Sequence, residues 1–106
     1  MNQQIDFNKF RINKSRILSG RESAEKLRLL LKLDHGDLDS KTTYHIIVPS
    51  DIYSFNTSYF LGLFGDSVRA SGNRSKFLAK FKFECSKEIM EDVVYGIEQS
   101  LKEVKI

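Results

Sequence analysis

The stretch FNTSYFLGLFGDSVR, residues 55–69, decides how the chain is interpreted, because it begins like a helix and then places two glycines inside it. Asn56 is the predicted N-cap. Phe55 precedes it and Phe60 follows four residues later, which is the spacing of a hydrophobic staple that fixes the direction in which a chain enters a helix. The stretch therefore predicts the middle helix of a folded domain.

Two hydroxyl groups, those of Thr57 and Ser58, lie in the first turn of this predicted helix. At that point the backbone N–H groups lack intrahelical partners and the helix dipole is positive, so a phosphate added to either side chain would be stabilised. Ser and Thr are also frequent at helix starts as simple caps. The pattern alone favours capping over a regulatory role.

Gly62 and Gly65 should weaken the helix, since each glycine costs about 1 kcal/mol relative to alanine in a helix interior. Residues three apart share a helix face, so the missing side chains predict close approach by a neighbouring strand or helix rather than a ligand cleft. Ser71 and Gly72 supply the expected C-terminal stop.

Length and composition indicate one soluble domain, covering residues 1–106. The chain is 41% hydrophobic and 29% charged, and no apolar run approaches the roughly 18 residues that span a bilayer. The N-terminus has no secretory signal pattern, and the lone Cys85 is typical of a reducing compartment. We expect a cytoplasmic protein.

A first helix is predicted after Ser19, which forms a capping box with Glu22. The residues expected on its buried face are Ala24, Leu27, Leu30 and Leu31. Residues 34–41, DHGDLDSK, indicate a turn.

The predicted element order is β, α, β, α, β, α, and sequence patterns set the bounds of the second and third strands. TTYHIIVP, residues 42–49, should end at Pro49 and, because its apolar residues do not alternate, should be a central strand covered on both faces. KFLAKFKFEC, residues 76–85, alternates apolar and charged residues and is expected to be a half-buried strand near an edge.

A last helix is predicted over residues 86–104 with Ser86 as its N-cap. Its expected buried positions are Ile89 or Met90, Val93, Ile97, Leu101 and Val104. The alternation of strands and helices, with a hairpin as an option at the start, predicts an α/β sandwich of about four strands and about three helices.

Residues 55–69 also resemble the signature of the STAS-like domain family of unknown function. In that family an aromatic, a small residue, two hydroxyls, an aromatic and then Phe-Gly-x-x-aliphatic-Arg recur. The matching positions are Phe55, Asn56, Thr57, Ser58, Tyr59, Phe64, Gly65, Val68 and Arg69. SGRESAEKL is similar to the start of the family's first helix. The resemblance implies a small STAS-like sandwich.

Domains of this family resemble sulfate-transporter and anti-sigma-factor-antagonist domains, whose phosphorylatable Ser or Thr lies at the start of the equivalent helix. The resemblance implies a non-catalytic regulatory domain that needs no cofactor and binds a protein partner, such as a histidine-kinase-like ATPase. Thr57 and Ser58 are then the expected phosphorylation or recognition point, and Asn56, Asp66 and Arg69 the expected partner surface. An inhibitor encoded by a mobile element, using the fold as a rigid surface, is an alternative.

No enzyme motif is visible in the sequence. His35 and His45 do not have metal-ligand spacing with Cys85, so neither a metal site nor catalytic residues are expected. A Cys85–His45 nucleophile pair across a sheet lacks any flanking motif. Glu91 and Asp92 are expected on a solvated helix face.

Nucleic-acid binding is a second hypothesis, because the net charge is +3 and four basic residues lie near the last strand. Phe77 or Phe81 would then stack on bases. Alternation places these rings opposite the lysines, so a core position is favoured. The basic residues concerned are Arg74, Lys76, Lys80 and Lys82. The sequence leaves the oligomeric state open.

Overall fold

The computed structural model describes residues 2–11 and 14–103, which form six helices and five strands. The strands are β1 (Asn2–Asp6), β2 (Ile17–Leu18), β3 (Thr43–Ile47), β4 (Ser54–Phe55) and β5 (Phe81–Glu84). The helices are α1 (Phe7–Phe10), α2 (Arg21–Leu31), α3 (Leu33–Leu38), α4 (Thr57–Ser71), α5 (Arg74–Lys80) and α6 (Lys87–Lys102). The predicted α/β class is confirmed.

The strands form two small parallel sheets, one of three strands in the order β1-β3-β5 and one that pairs β2 with β4. The prediction of a single sheet of about four strands with about three helices is therefore wrong. The optional hairpin at the start is wrong as well, because β1 pairs in parallel with β3. Parallel neighbours need a crossover connection, and each crossover contributes further helix.

β3 is the central strand of the larger sheet, as predicted, and β5 is an edge strand. The prediction that β3 is covered on both faces is wrong. Tyr44 and Ile46 are buried on one face, whereas His45 is exposed and Ile47 half-buried on the other. The helices therefore cover one face of this sheet, and burial in β3 alternates although hydrophobicity does not.

α4 packs between α2 and α6, and glycines allow the close approach on both sides. A Cβ added at Gly62 would lie 2.7 Å from the carbonyl oxygen of Arg21 in α2. A Cβ at Gly96 of α6 would lie 2.5 Å from the buried ring of Phe60. Gly65 instead faces the guanidinium of Arg69. The prediction of close internal packing is confirmed at Gly62.

The start of α2 differs from the prediction. Gly20 is the N-cap, with φ of 97°, and no side chain caps the helix, so the Ser19–Glu22 capping box is wrong. A glycine suits this position because it adopts positive φ without strain.

The buried face of α2 and the segment after it also differ. Ala24 and Leu27 are buried as predicted, but Leu30 is 69% exposed, whereas Arg28 is buried. The predicted turn over residues 34–41 begins as helix α3, which follows α2 after the single residue Lys32 in left-handed conformation.

Residues 76–80 of the predicted last strand belong to helix α5, and only residues 81–84 form β5. The Asn73 side chain caps α5 by accepting a hydrogen bond from the Lys76 N–H at 2.9 Å. Phe77 and Phe81 lie four residues apart, a spacing that fits a helix as well as a strand, and their rings stack at 4.7 Å.

α6 begins as predicted, because the Ser86 hydroxyl accepts a hydrogen bond from the Ile89 N–H. Its buried face includes Ile89, Val93 and Ile97, but Leu101 is 44% exposed. The prediction for Val104 lies outside the described residues.

Candidate functional site: the entrance of helix α4

The α4 entrance, residues 55–58, lies at the carboxyl end of the two-stranded sheet. β2 and β4 are parallel, so the connections into α2 and α4 leave the sheet at the same edge. The Asn56 N–H donates to the Leu18 carbonyl at 2.8 Å and ties the two connections together. In open parallel sheets, ligand sites lie outside this edge.

The cap and the staple predicted for α4 are both confirmed. The Asn56 side chain accepts a hydrogen bond from the Ser58 N–H at 2.9 Å. The rings of Phe55 and Phe60 meet edge to face with centroids 5.6 Å apart. These contacts fix the direction of the helix and the position of its first turn.

The two predicted hydroxyls differ in accessibility. Ser58 is exposed and Thr57 is half-buried. Neither hydroxyl forms a hydrogen bond with another described residue. Of the two hydroxyls, that of Ser58 is thus the more accessible to another molecule.

An acidic side chain from α6 reaches the same end of α4. Asp92 Oδ2 accepts a hydrogen bond from the Phe55 N–H at 2.9 Å, and Asp92 is half-buried. The predicted solvated face is therefore wrong for Asp92, although Glu91 is exposed. No local pattern could have found this contact, because the two residues come together only when α6 packs on α4.

Asp66 and Arg69 do not lie at the α4 entrance. Asp66 comes ten residues after Asn56, about 15 Å along the helix axis. Arg69 Nη2 donates to Asp66 Oδ1 at 2.6 Å, and Arg69 Nη1 donates to the Ser100 carbonyl at 2.9 Å. The three residues of the predicted partner surface therefore do not form one patch, and their role in partner binding stays a prediction.

Sequence reasoning missed a buried arginine that organises the far half of α4. The Arg28 side chain is 7% exposed and pairs with Asp37 at 2.6 Å and Asp34 at 2.7 Å. Its Nη1 also donates to the Leu63 carbonyl at 2.8 Å and to the Ser67 hydroxyl at 2.9 Å. A signal was present, because Arg28 follows Ala24 by one turn on the buried face, where an arginine needs partners.

The ion pairs continue from Arg28 to the end of α6. Asp66 lies 4.0 Å from Arg28 and 2.6 Å from Arg69, which in turn lies 4.0 Å from Glu103. Arg21 at the start of α2 pairs with Glu103 at 2.7 Å. This ion-pair network joins α2, α3 and α4 to the residue that caps α6.

The residues considered for catalysis do not form an activated site. Burial raises the pKa of the Cys85 thiol, which disfavours the reactive thiolate. His45 is exposed and its Nε2 lies 3.2 Å from Glu84 Oε1. Within residues 2–11 and 14–103, no group of three or more His, Cys, Asp or Glu side chains could hold a metal ion.

The aromatic part of the nucleic-acid hypothesis is wrong, because Phe77 and Phe81 are both fully buried and cannot stack on bases. Lys80, from the same basic group, donates to the Asp39 carbonyl at 2.7 Å. The other three basic residues, Arg74, Lys76 and Lys82, are exposed on α5 and β5.

None of the helices in the described part of the chain combines the length and the apolar character needed to cross a membrane. No family model matches the chain, and comparisons with curated proteins and with solved structures gave no match.

Proposed function

We propose that the protein is a non-enzymatic, STAS-like regulatory module of the cytoplasm that binds a protein partner through the α4 entrance. The proposal depends on one observation: Ser58 is exposed in the first turn of α4, a helix whose buried residues form part of the core. Residues 55–69, through their resemblance to the STAS-like signature, support a histidine-kinase-like ATPase as the partner.

A phosphate on Ser58 would act through two opposing forces. It adds about −2 charge at the positive end of the helix dipole, which stabilises the phosphorylated state. It also brings negative charge to the helix end that Asp92 already occupies through the Phe55 N–H. Phosphorylation would therefore change the charge and shape of the entrance while the far half of α4 stays fixed by the ion-pair network.

A matched pair of serines provides the test. Ser58 is the second residue of α4 after the cap Asn56, and the exposed Ser75 is the second residue of α5 after the cap Asn73. Wild type, Ser58→Ala, Ser58→Glu and Ser75→Glu are expressed in the source cells, and captured proteins are quantified by mass spectrometry. Phosphopeptides of residues 55–69 are measured in the same samples.

We expect Ser58→Glu to change the recovery of a specific partner by about fivefold or more, which corresponds to about 1 kcal/mol of binding free energy. Ser75→Glu should leave that recovery unchanged. Equal recovery with wild type, Ser58→Ala and Ser58→Glu would remove the proposal, provided that thermal melting shows all variants folded.

A further inference from the structure

The outward side of helix α6 brings apolar and charged side chains together in one patch. We call this patch the α6 outer face, and its members are Lys87, Met90, Glu91, Val94, Tyr95 and Glu98. Tyr95 is 54% exposed, while Met90 and Val94 are half-buried. Exposed apolar side chains that lie side by side within a polar rim are typical of an interaction site.

The three charged side chains of this face have no internal partner. Lys87, Glu91 and Glu98 are exposed and form no ion pair or hydrogen bond with another described side chain. On α2, by contrast, Glu22 pairs with Lys26 at 3.6 Å. A glutamate followed by a lysine four residues later pairs better than the reverse order, and Lys87 precedes Glu91. The charges of the α6 outer face are therefore available to another molecule.

Two of these charges oppose the dipole of their own helix. Lys87 is the first residue of α6, at the positive end, and Glu98 lies four residues before the last residue, Lys102, near the negative end. A second helix that ran alongside α6 in the opposite direction would bring its negative end to Lys87 and its positive end to Glu98. Both charges would then be stabilised by the neighbouring helix.

The spacing of Lys87 and Glu98 makes the α6 outer face complementary to itself. The two residues are eleven positions apart, which is close to three full turns and about 16 Å along the axis, so they lie on one line along the helix. A twofold axis halfway between them places Lys87 of each copy opposite Glu98 of the other. A parallel pair of helices would instead bring the two lysines together. Charge therefore selects the antiparallel arrangement.

The other members of the face match under the same twofold axis. Met90 and Val94 lie on one side of the charged line, and Glu91 and Tyr95 lie on the other. The axis brings Met90 of one copy to the level of Val94 in the second copy, which is an apolar contact. It also brings the Tyr95 hydroxyl to the level of the Glu91 carboxylate, which can accept a hydrogen bond from it.

We propose that the α6 outer face is the contact surface of an antiparallel homodimer, in which a second copy of this chain covers it. The contact spans about three helical turns, so its area is smaller than the roughly 1,600 Å² of a standard interface. We therefore expect a reversible dimer that forms at high protein concentration. The dimer uses no residue of the α4 entrance, so this proposal and the proposed function can fail separately.

Sedimentation equilibrium of the full chain tests whether the dimer forms. The average mass should rise from the 12.3 kDa of one chain toward twice that value. We expect this rise between about 10 μM and about 1 mM protein. Added salt should weaken the association, because exposed charge pairs contribute to it. A mass that stays at the value of one chain over this range would overturn the proposal.

Charge reversals test where the two copies meet. Glu98→Lys and Lys87→Glu each bring like charges together in two symmetric contacts, and each should weaken association about tenfold. The double variant Lys87→Glu/Glu98→Lys restores opposite charges and should associate more tightly than either single variant. Both single reversals follow the dipole of α6 and should keep the helix stable. Weaker association therefore does not arise from loss of the helix, which circular dichroism checks.

Glu22→Lys is the matched control. It raises the net charge as much as Glu98→Lys does, but it lies on α2, outside the α6 outer face, and should leave association unchanged. Association that both reversals at Lys87 and Glu98 leave unchanged would place the contact elsewhere and overturn the proposal. A double variant that associates no better than the single variants, or an equal loss with Glu22→Lys, would overturn it as well.

Discussion

The two halves of α4 belong to one helix but differ in how many contacts with other elements hold them in place. At the α4 entrance, Ser58 is exposed and its hydroxyl forms no hydrogen bond with another described residue. From Gly62 onward, the helix is held by backbone contact with α2 and by the Arg28 ion pairs. Substitutions in the far half should therefore change stability, and substitutions at the entrance should change charge and recognition.

Removing Arg28, which holds the far half of α4, should produce the largest loss of stability. Arg28→Ala leaves the Asp37 carboxylate, whose side chain is 9% exposed, without its cation. Breaking a buried pair in this way costs about 3–5 kcal/mol of unfolding free energy. The value is measured by urea unfolding.

Lys26→Ala is the control for this measurement, since Lys26 is exposed on the same helix and pairs with Glu22 at the surface. It should change the free energy of unfolding by about 0.5 kcal/mol or less. If the two variants lose similar amounts of stability, the ion-pair network does not hold the far half of α4.

Gly62→Ala should have the next largest effect. The new methyl group would lie 2.7 Å from the Arg21 carbonyl, which is backbone and cannot turn aside. The clash should outweigh the gain in helix propensity and leave a net loss of about 2 kcal/mol, or roughly 10 °C in melting temperature.

Gly65→Ala is the matched control for this glycine. Its nearest neighbour is the guanidinium of Arg69 at 3.2 Å, the end of a flexible side chain. We expect stability within about 0.5 kcal/mol of wild type, since helix propensity and displacement of Arg69 oppose each other. Equal losses at Gly62 and Gly65 would contradict the contact between α4 and α2.

Tyr59, which follows the α4 entrance directly, should make the stability of the protein fall at alkaline pH. Its folded pKa of about 12 lies above the unfolded value of 10, so its contribution to stability is present below pH 10 and is lost as the pH rises toward about 12. At about pH 11 the loss should be about 1.4 kcal/mol. Tyr59→Phe should lose less stability than wild type between pH 9 and 11 in chemical unfolding.

Removing the cap of α4 should have a smaller effect. Asn56→Ala loses the hydrogen bond from the Ser58 N–H and should lower the unfolding free energy by about 1 kcal/mol. Asn56→Ser keeps a capping oxygen and should stay within a few tenths of wild type. If Asn56→Ala lost much more unfolding free energy than this, Asn56 would also have to contact the core.

Ser58→Glu should have the smallest effect, a gain of about 0.5 kcal/mol from the helix dipole, which salt should reduce. Ser75→Glu at the start of α5 should behave in the same way. Destabilisation by Ser58→Glu alone would indicate that the entrance is closed or that repulsion from Asp92 dominates.

Local chemistry made part of this structure predictable from the sequence. The caps Asn56 and Ser86 act on N–H groups two or three residues away, and Gly72 ends α4 as expected. The position of Thr57 and Ser58 at a helix start followed from the same rules. Their regulatory role stays a prediction.

Features that depend on distant residues were not predictable. The position of Arg28 one turn after Ala24 signals its burial, but its partners Asp37 in α3 and Leu63 in α4 could not be identified from the sequence. Phe77 fits either a strand or a helix by spacing, and its packing with Phe81 decides the outcome. Asp92 reaches the α4 entrance only through the packing of α6.

The parallel pairing of every strand bears on how the chain folds as it is made. Asn2 pairs with Thr43, and Tyr44 with Phe81, so partners lie roughly forty residues apart. Within residues 2–11 and 14–103, no strand pairs with another that is close to it in sequence. In a chain emerging from the ribosome, the helices are therefore the elements that can form early. The larger sheet cannot be complete before Glu84 has been synthesised, so we expect the folding to be helix-first and its rate to be limited by loop closure.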